Sequence, residues 1–311
     1  MYRILSLDGG GMRGLITLTV MRRLDEAVPG WLQKVDLITG SSTGGILAIG
    51  LAYGSRPEEL VSLYTICGRK IFARSRRERW LGLRGILRAG YDNRNLQEEL
   101  RHRLGNARLS DLLHKVLIPA LALDNGHSEE LGRRFYPRFF HNFDQSGDIE
   151  AYKAALYTSA SPGYFPSVDG FIDGAIVAYH PGAAALTWVQ AGRVRASAPV
   201  SLAETALLSL GTGTVSYYIA GERHDWSIAR WFPSMLRLMR DGNVGLVEYQ
   251  CRLLLGDRYH RVSPVFARPI DTDVWEQCDR LQQIGEDVDI RPVVDWLRAV
   301  WEQGDEGRDS S

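Results

Sequence analysis

Two short apolar segments near the start of the chain each run into a glycine-rich turn and then into a helical pattern. Residues 2–7 precede the glycine triplet 9–11, and residues 35–39 precede the small-residue run 40–45. A strand that turns through glycines into a helix is typical of parallel sheets, whose crossover helices cover the sheet. Similar uncharged strand-like runs follow at residues 116–123 and 205–210. The sequence therefore predicts an α/β fold in which helices cover both faces of a mostly parallel sheet.

Helical patterns fill much of the remaining chain. Pro57 suits the first turn of a helix that the apolar pattern extends to about residue 72. Apolar spacing further along predicts one helix over residues 228–239 and another over residues 244–255. Pro233 marks a kink or a fresh start in the first of these two helices.

Charge and composition narrow the classes of function. The 37 Lys and Arg residues balance 37 Asp and Glu residues, which argues against a nucleic-acid polymer as partner, because such binders carry a basic excess. The widely spaced Cys67, Cys251 and Cys278 predict no disulfide framework, and the seven histidines lack metal-ligand spacing, so we expect no metal or cofactor. The start of the chain lacks a signal-peptide pattern, and no stretch is apolar enough to span a bilayer. These features predict a soluble, cytoplasmic protein.

The second glycine-rich turn has the spacing of a nucleophile elbow. Gly40, Ser42 and Gly44 match Gly-x-Ser-x-Gly, a sharp strand-to-helix turn that exposes one hydroxyl above a sheet. Ser41 does not fit this frame, because threonines stand two positions away on either side. The match falls where the apolar pattern independently predicts strand, turn and helix. We therefore predict Ser42 as a nucleophile, against the alternative of a tight structural turn.

The first turn, residues 8–14, can present several backbone N–H groups at the start of a helix. Such a nest can hold a phosphate or a developing oxyanion, because the helix dipole adds positive potential there. Its Gly-x-Gly-x-x-Gly spacing leaves a nucleotide-binding module as a rival interpretation, and Asp36 lies at about the distance of a ribose-binding acid. However, Asp36 precedes the second strand, whereas that acid belongs at the end of the strand.

A nucleophilic serine needs a base, and the residues alone leave the base open. His180 and His260 both follow candidate acids, which keeps a Ser–His–Asp esterase as an alternative. Asp173 follows a short strand-like segment, residues 168–172, and small residues after it leave room at its carboxylate. An aspartate has a pKa of about 3.9, so it would need desolvation to act as a base. Asp173 could equally be a turn or helix-cap residue.

Three ordered blocks, residues 8–14, 40–45 and 173–175, resemble the signature blocks of the bacterial patatin-like phospholipases. Residues 159–166 and 208–213 also resemble stretches of that family. The resemblance covers about residues 1–265 and implies a three-layer α/β/α fold with a mostly parallel central sheet. Residues 266–311 resemble no recognised stretch of the family. We expect them to form a C-terminal helical extension that ends in a disordered tail.

The resemblance also implies an activity. These enzymes release fatty acid from glycerolipids with a Ser–Asp dyad and no histidine, which implies a glycerophospholipid or other acyl-ester lipid as substrate. Carried over, Ser42 is the nucleophile, Asp173 is the base, and the turn before the first helix is the oxyanion hole. The expected oxyanion-hole residues are Gly9, Gly10, Gly11 and Arg13. The glycines that complete the motifs are Gly14, Gly40, Gly44 and Gly174.

Two further expectations concern partners. Residues 74–94 carry seven arginines among apolar side chains, which indicates either a solvated cap or an element that binds the anionic surface of a membrane. The chain is also similar to compact bacterial patatin-like effectors that a cyclic oligonucleotide activates during phage defence, which implies a cyclic nucleotide activator.

His180 stands where the family often carries asparagine, and we expect its ring to pack in the protein interior rather than take part in the reaction.

Overall fold

A computed structural model describes residues 1–72, 89–126, 132–194, 199–216, 218–221 and 223–302. Most of the arginine-rich stretch at residues 74–94 and the tail after residue 302 lie outside these ranges. The strands are β1 (Tyr2–Leu7), β2 (Leu37–Gly40), β3 (Lys115–Ala122), β4 (Tyr136–His141), β5 (Phe171–Asp173), β6 (Thr205–Leu210), β7 (Thr214–Val215), β8 (Tyr259–Val262) and β9 (Val265–Phe266).

The main helices follow the strands along the chain. They are α1 (Gly14–Ala27), α2 (Thr43–Ala52), α3 (Pro57–Thr65), α4 (Gly68–Ile71), α5 (Arg94–Leu104), α6 (Ala151–Ser159), α7 (Ala175–Ala178), α8 (Gly182–Gln190), α9 (Ile228–Leu255), α10 (Cys278–Asp287) and α11 (Arg291–Trp296). The predicted helix over residues 57–72 is thus divided into α3 and α4. The two helices predicted over residues 228–239 and 244–255 form one helix, α9, which continues through Pro233 and Gly242.

The central sheet has the order β4-β3-β2-β1-β6-β8, and its strands are parallel from β3 to β8. Alternate side chains of each strand enter two separate cores. Leu5, Ile38 and Leu208 join the core beneath α1 and α2, whereas Ile4 and Leu207 join the core beneath α8 and α9. This alternation follows from the two-residue period of a strand, and it confirms the predicted three-layer α/β/α fold.

The antiparallel strand β5 brings a second segment to the elbow. β3 pairs with β4 along one edge, and its other edge pairs first with β2 and then, from residue 120, with β5. The chain leaves the sheet at Gly40, the end of β2, so β5 takes the vacated edge and ends there at Asp173. The sheet therefore places the turn after β2 beside the last residue of β5.

The residues after 265 share the main core. Ile270, Leu281 and Trp301 are buried in the same cluster as strand β1. Trp301 donates its indole N–H to the carbonyl of Trp31 at 3.1 Å, and α10 packs against α1. The described part of the predicted C-terminal extension is therefore packed against the domain as one body.

Candidate active site

Ser42 occupies a strained turn between β2 and α2. Its φ of 54° and ψ of −125° lie outside the conformations that a serine ordinarily adopts. Two glycines make this turn possible, because a Cβ at Gly40 would lie 2.0 Å from the carbonyl oxygen of Gly44. A Cβ at Gly44 would lie 2.3 Å from the carbonyl oxygen of Leu7. This is the geometry of a nucleophile elbow, in which the backbone holds one hydroxyl out of the sheet.

The hydroxyl of Ser42 donates a hydrogen bond to Asp173 at 2.8 Å. The other carboxylate oxygen of Asp173 accepts the N–H of Ala175, also at 2.8 Å. Burial raises the pKa of Asp173 to about 7, although the hydrogen bonds from Ala175, Ser42 and Ser161 favour the charged form. The carboxylate therefore has the pKa of a base that works near neutral pH, and it accepts the hydroxyl of Ser42.

The end of α6 fixes the positions of both partners. Thr158 accepts the N–H of Ser42 with its side-chain oxygen and the N–H of Gly174 with its carbonyl, each at 3.0 Å. The carbonyl of Ala160 accepts the N–H of Asp173 at 3.0 Å. Gly174 also has to be a glycine, because a Cβ there would lie 2.1 Å from the carbonyl of Pro119. The distance between the serine and the carboxylate is thus set by backbone contacts.

The glycine turn before α1 faces Ser42 with two N–H groups. Within the described ranges, the N–H groups of Gly10 and Gly11 have no protein acceptor, and both glycines line the cavity at Ser42. Gly11 has a φ of +57°, and a Cβ there would lie 2.2 Å from the carbonyl oxygen of Thr272. That carbonyl accepts the N–H of Met12 at 2.7 Å. The turn therefore presents two free donors and is held in place by the segment after residue 265.

Gly9 and Arg13, which were both expected in the oxyanion hole, have hydrogen-bond partners within the chain. The N–H of Gly9 donates to the carbonyl of Tyr179 at 3.1 Å, so it is already engaged. Arg13 is buried behind the turn, where it donates to the Tyr179 hydroxyl at 2.9 Å and to the carbonyl oxygens of Gly213 and Gly10. Neither residue lines the cavity. Both residues instead support the turn through these hydrogen bonds to the chain.

Gly14 holds the same turn close to the elbow. A Cβ on Gly14 would lie 2.6 Å from the hydroxyl oxygens of both Thr43 and Tyr64, which hydrogen-bond to each other. Any larger residue at position 14 would separate the glycine turn from α2. The motif glycines are therefore explained by close approach of backbone segments around Ser42.

An apolar cavity of about 140 Å³ begins at the Ser42–Asp173 pair. Its polar end is formed by the glycine turn, Ser42, Asp173 and serines of the segment after α6. Its apolar walls come from helices α2 to α5 and the segment after α6, and they include Met12, Ile46, Leu63, Ile71, Phe72, Leu96 and Phe165. A site with one polar end and apolar walls suits an acyl chain whose carbonyl carbon lies at the serine.

The structure does not bring a histidine to Ser42. None of the described cavity-lining residues is a histidine. His180 is buried between Ser6, Ser209 and Tyr259, and burial lowers its pKa to about 4, so its ring is neutral. His260 lies on β8 with its ring 5.6 Å from that of Trp296. The Ser–His–Asp alternative therefore has no geometric support, and His180 packs as expected.

Asp8 and Asp36 have structural partners of their own. Asp8 forms a buried ion pair with Arg261 at 2.6 Å beneath the glycine turn. Asp36 lies before β2 and accepts the N–H of Arg3 at 2.8 Å, at the end of the strand opposite to Ser42. In a nucleotide-binding module, Asp36 would bind the ribose of a nucleotide held at the glycine turn. Asp36 instead lies at the other end of the sheet from that turn.

In the part of the chain that the structure describes, no cluster of three or more His, Cys, Asp or Glu residues could hold a metal ion. Over the same ranges, no helix combines the length and the apolar character needed to cross a membrane.

Several residues of the site carry no sequence signal. Thr158 and Thr272 are single threonines outside any recognisable pattern, and the apolar wall residues of α3 to α5 look like ordinary core positions. The apolar spacing of those helices shows only that they have a buried face. The fold alone shows that part of this face lines a cavity.

Fold and site define the class of this protein: a three-layer α/β/α domain with a strained serine that faces a buried carboxylate at the end of an apolar cavity. The sequence model of the patatin-like phospholipase family matches residues 5–186. A cGAMP-activated phospholipase of Pseudomonas aeruginosa is 32% identical over 269 residues, which are 84% of this chain and 78% of that protein. The chain belongs to the patatin-like phospholipase family.

Two further matches, one to a curated sequence and one to a solved structure, cover about two thirds of the matched protein. A cGAMP-activated phospholipase of Vibrio cholerae is 33% identical over 238 residues, which are 68% of this chain but 64% of that protein. The crystal structure of VipD from Legionella pneumophila matches 91% of this chain and 66% of its own, with 9% identity and a TM-score of 0.39.

Proposed function

We propose that the protein is a phospholipase A-type lipid acyl hydrolase that uses Ser42 and Asp173 through an acyl-enzyme. The observation that carries this proposal is the 2.8 Å hydrogen bond from Ser42 to Asp173 at the polar end of an apolar cavity. Membership of the patatin-like phospholipase family supports an ester of a lipid as substrate. The direct test is fatty-acid release from mixed phospholipid vesicles by the full chain.

The reaction proceeds in two steps. As Ser42 Oγ attacks the ester carbonyl carbon, its proton passes to Asp173, and the N–H groups of Gly10 and Gly11 bind the oxyanion. When the tetrahedral intermediate collapses, the C–O bond breaks and Asp173 returns the proton to the departing lysolipid alkoxide. Water then attacks the acyl-enzyme with Asp173 again as base, and the second collapse restores Ser42 and releases the fatty acid.

The raised pKa of Asp173 gives a specific pH dependence. Burial raises this pKa to about 7, and the carboxyl must be ionised to accept a proton. On a soluble short-chain ester, kcat/KM should fall about tenfold per pH unit below the pKa and level off above it. A stopped assay from pH 5 to 9 measures the profile. An inflection near 4, the ordinary value for an aspartate, would contradict a buried base.

A cyclic dinucleotide activator is a proposal drawn from the relatives. Three curated relatives, 32–33% identical to this chain, bear the name cGAMP-activated phospholipase. If activation is shared, cGAMP should raise fatty-acid release from vesicles at least about tenfold, a change of about 1.4 kcal/mol in the free energy that favours the active state.

The activation assay needs two controls. Linear pGpA at the same concentration controls for non-specific nucleotide effects, and Ser42→Ala with cGAMP controls for contaminating lipase. Full fatty-acid release without any nucleotide would contradict the proposal that cGAMP activates the protein. It would leave the hydrolase proposal intact.

Membrane attachment through residues 74–94 stays a proposal. Six of the seven arginines of that stretch lie outside the described residues, and Arg94 forms an ion pair with Asp92 at 2.8 Å. The support for it is compositional: arginines interspersed with apolar side chains suit an anionic lipid surface. Cytoplasmic action is likewise proposed, on the basis of three free cysteines.

A further inference from the structure

The long helix α9 carries large apolar side chains on a face that no described residue covers. Met239 is 65% exposed, Leu246 55%, Tyr249 65% and Leu253 71%. Ile228, Met235, Leu238 and Leu254 are also exposed. The opposite face of the same helix is buried against the sheet through Val244, Val247, Cys251 and Leu255. A continuous apolar stripe of this length is unusual on a monomer and indicates an interaction surface.

The spacing of the stripe is that of a helix–helix interface. Steps of four and three residues alternate along Met235, Met239, Gly242, Leu246, Tyr249 and Leu253. This is the heptad spacing of the a and d positions of a coiled coil, which keeps one seam directed at a partner helix. We therefore call these six residues the α9 seam.

Among the described residues, nothing packs so close to the glycine at the centre of the seam that a glycine is needed there. A Cβ at Gly242 or at Gly245 would meet nothing within 4 Å. A glycine inside a helix costs about 1 kcal/mol relative to alanine, so these two weaken α9 without relieving any contact of this chain. A glycine does allow another backbone to approach closely, which points to a second helix that crosses α9 at this position.

Large apolar residues of α9, on the seam and directly beside it, are arranged symmetrically about that glycine. α9 has 28 residues, and Gly242 lies at its middle. Large apolar residues stand at equal separations on both sides of Gly242: Leu238 with Leu246, Met235 with Tyr249, and Trp231 with Leu253. An antiparallel pair of identical helices related by a two-fold axis at Gly242 would bring each residue against its counterpart. Self-complementarity of this kind is what a two-fold interface requires.

We propose that α9 pairs antiparallel with α9 of a second copy of this chain, with the two-fold axis at Gly242. A standard interface buries about 800 Å² on each partner. Eight large apolar side chains on α9, from 40% to 81% exposed, provide a surface of that order. The dimer proposal does not depend on the proposed hydrolase activity, because its test measures mass and proximity.

A lipid surface fits the seam less well. Interfacial helices carry basic residues along the whole polar face, whereas two of the four arginines of α9 are paired with acidic neighbours, Arg240 with Asp241 and Arg252 with Glu248. A glycine at the midpoint of the helix would also add no apolar contact with a bilayer. A second copy accounts for both the spacing and the glycine.

The first test is the mass of the full chain in solution. Sedimentation equilibrium should give a dimer for the native chain and a monomer for Leu246→Glu/Tyr249→Glu. Burying four like charges in the two-fold interface should raise the dimer Kd at least about 100-fold. The matched control is Leu113→Glu/Phe135→Glu, which adds the same charge at side chains that are 76% and 69% exposed elsewhere. The control should remain a dimer, and circular dichroism checks that both variants are folded.

The second test fixes the orientation. In an antiparallel pair crossing at Gly242, Gly242→Cys on the two copies meet, so mild oxidation should link the chains. Leu253→Cys lies eleven residues from the axis, so the two copies are about 33 Å apart and should not link. Native cysteines set the background in the unsubstituted chain. A monomeric native chain would overturn the proposal, whether or not it binds vesicles, as would a dimer that survives Leu246→Glu/Tyr249→Glu. Linking through Leu253→Cys would overturn the antiparallel orientation.

Discussion

Replacing Ser42 with alanine is expected to abolish fatty-acid release, with a fall in kcat of about 10⁵-fold or more. The substitution removes the oxygen that we propose forms the acyl-enzyme, and it leaves Ser161, the other hydroxyl beside Asp173, outside the strained turn that positions Ser42. Water could still attack the ester with Asp173 as base, but it would not be held at the elbow. The measurement is release of labelled fatty acid from vesicles and of alcohol from a soluble ester, under the conditions in which the native chain is active.

The adjacent serine provides a matched control. The hydroxyl of Ser41 is buried without a hydrogen-bond partner among the described residues. Ser41→Ala removes the same atoms one position away, so it should retain activity within about threefold and should not destabilise the fold. A fluorophosphonate probe should label the native chain and Ser41→Ala at Ser42, and leave Ser42→Ala unlabelled. Equal loss of activity in both variants would mean that the turn, and not one hydroxyl, carries the effect.

Local pattern was sufficient to predict Ser42 but not its partner. The elbow is contained in five consecutive residues, and strand, turn and helix around it can be recognised from the sequence. Asp173 is separated from Ser42 by 131 positions, and its spacing carries no signal. The family resemblance pointed to Asp173. Its proximity to Ser42 follows from the antiparallel strand β5, which takes the sheet edge that the elbow vacates.

The proposed oxyanion hole depends on contacts that a sequence does not reveal. A glycine run indicates that several N–H groups converge, but it does not show which of them are already hydrogen-bonded. Only the fold reveals that Tyr179 engages the N–H of Gly9 and the guanidinium of Arg13, which leaves Gly10 and Gly11. The contact of Thr272 with the glycine turn could not be predicted either, because Thr272 lies in a segment with no recognised resemblance to the family.

In helix α9 the sequence shows the pattern, but the structure is needed to interpret it. The sequence carries the apolar stripe plainly, but helical spacing alone would assign such residues to a core. Their exposure in the structure is what changes the interpretation. The buried side of α9 also contacts residues around the active site, since Arg240 lies 5.7 Å from the ring centroid of Tyr179 and Glu248 lies 3.5 Å from Arg261. The surface that we propose for dimerisation is therefore the outer side of a helix that supports the glycine turn.

Replacing Asp173 with asparagine is expected to lower kcat by about 10³–10⁴-fold on both vesicles and soluble esters. Asparagine keeps the size of the side chain and can still accept the N–H of Ala175, so the elbow should remain in place. What it loses is the ability to take the proton of Ser42. The residual rate should no longer show the inflection near pH 7, because the group that titrates there is absent.

The same substitution should stabilise the fold at alkaline pH. The folded-state pKa of Asp173, about 7, exceeds the unfolded value of about 3.9, so the native state binds more protons than the unfolded state between these values. The free energy of unfolding contributed by this group therefore falls as pH rises from about 4 to 7, and the loss is complete above pH 7. Asp173→Asn cannot ionise, so thermal unfolding at pH 8 should give a higher Tm than that of the native chain, and the difference should shrink at pH 4.

Asp169→Asn is the matched control, because it removes a carboxylate close to Asp173 that we do not propose as the base. Asp169 accepts the hydroxyl of Tyr157 at 2.6 Å and has a φ of 50°, which asparagine adopts readily. It does not line the cavity. Asp169→Asn should therefore keep kcat within about threefold and keep the inflection near pH 7. If Asp169→Asn lost as much activity as Asp173→Asn, or if Asp173→Asn kept a tenth of the native kcat, the base would have to be another group. Because activity and stability are expected to change in opposite directions only for Asp173→Asn, the two measurements together identify a buried carboxylate that is retained for its chemistry at a cost to the fold.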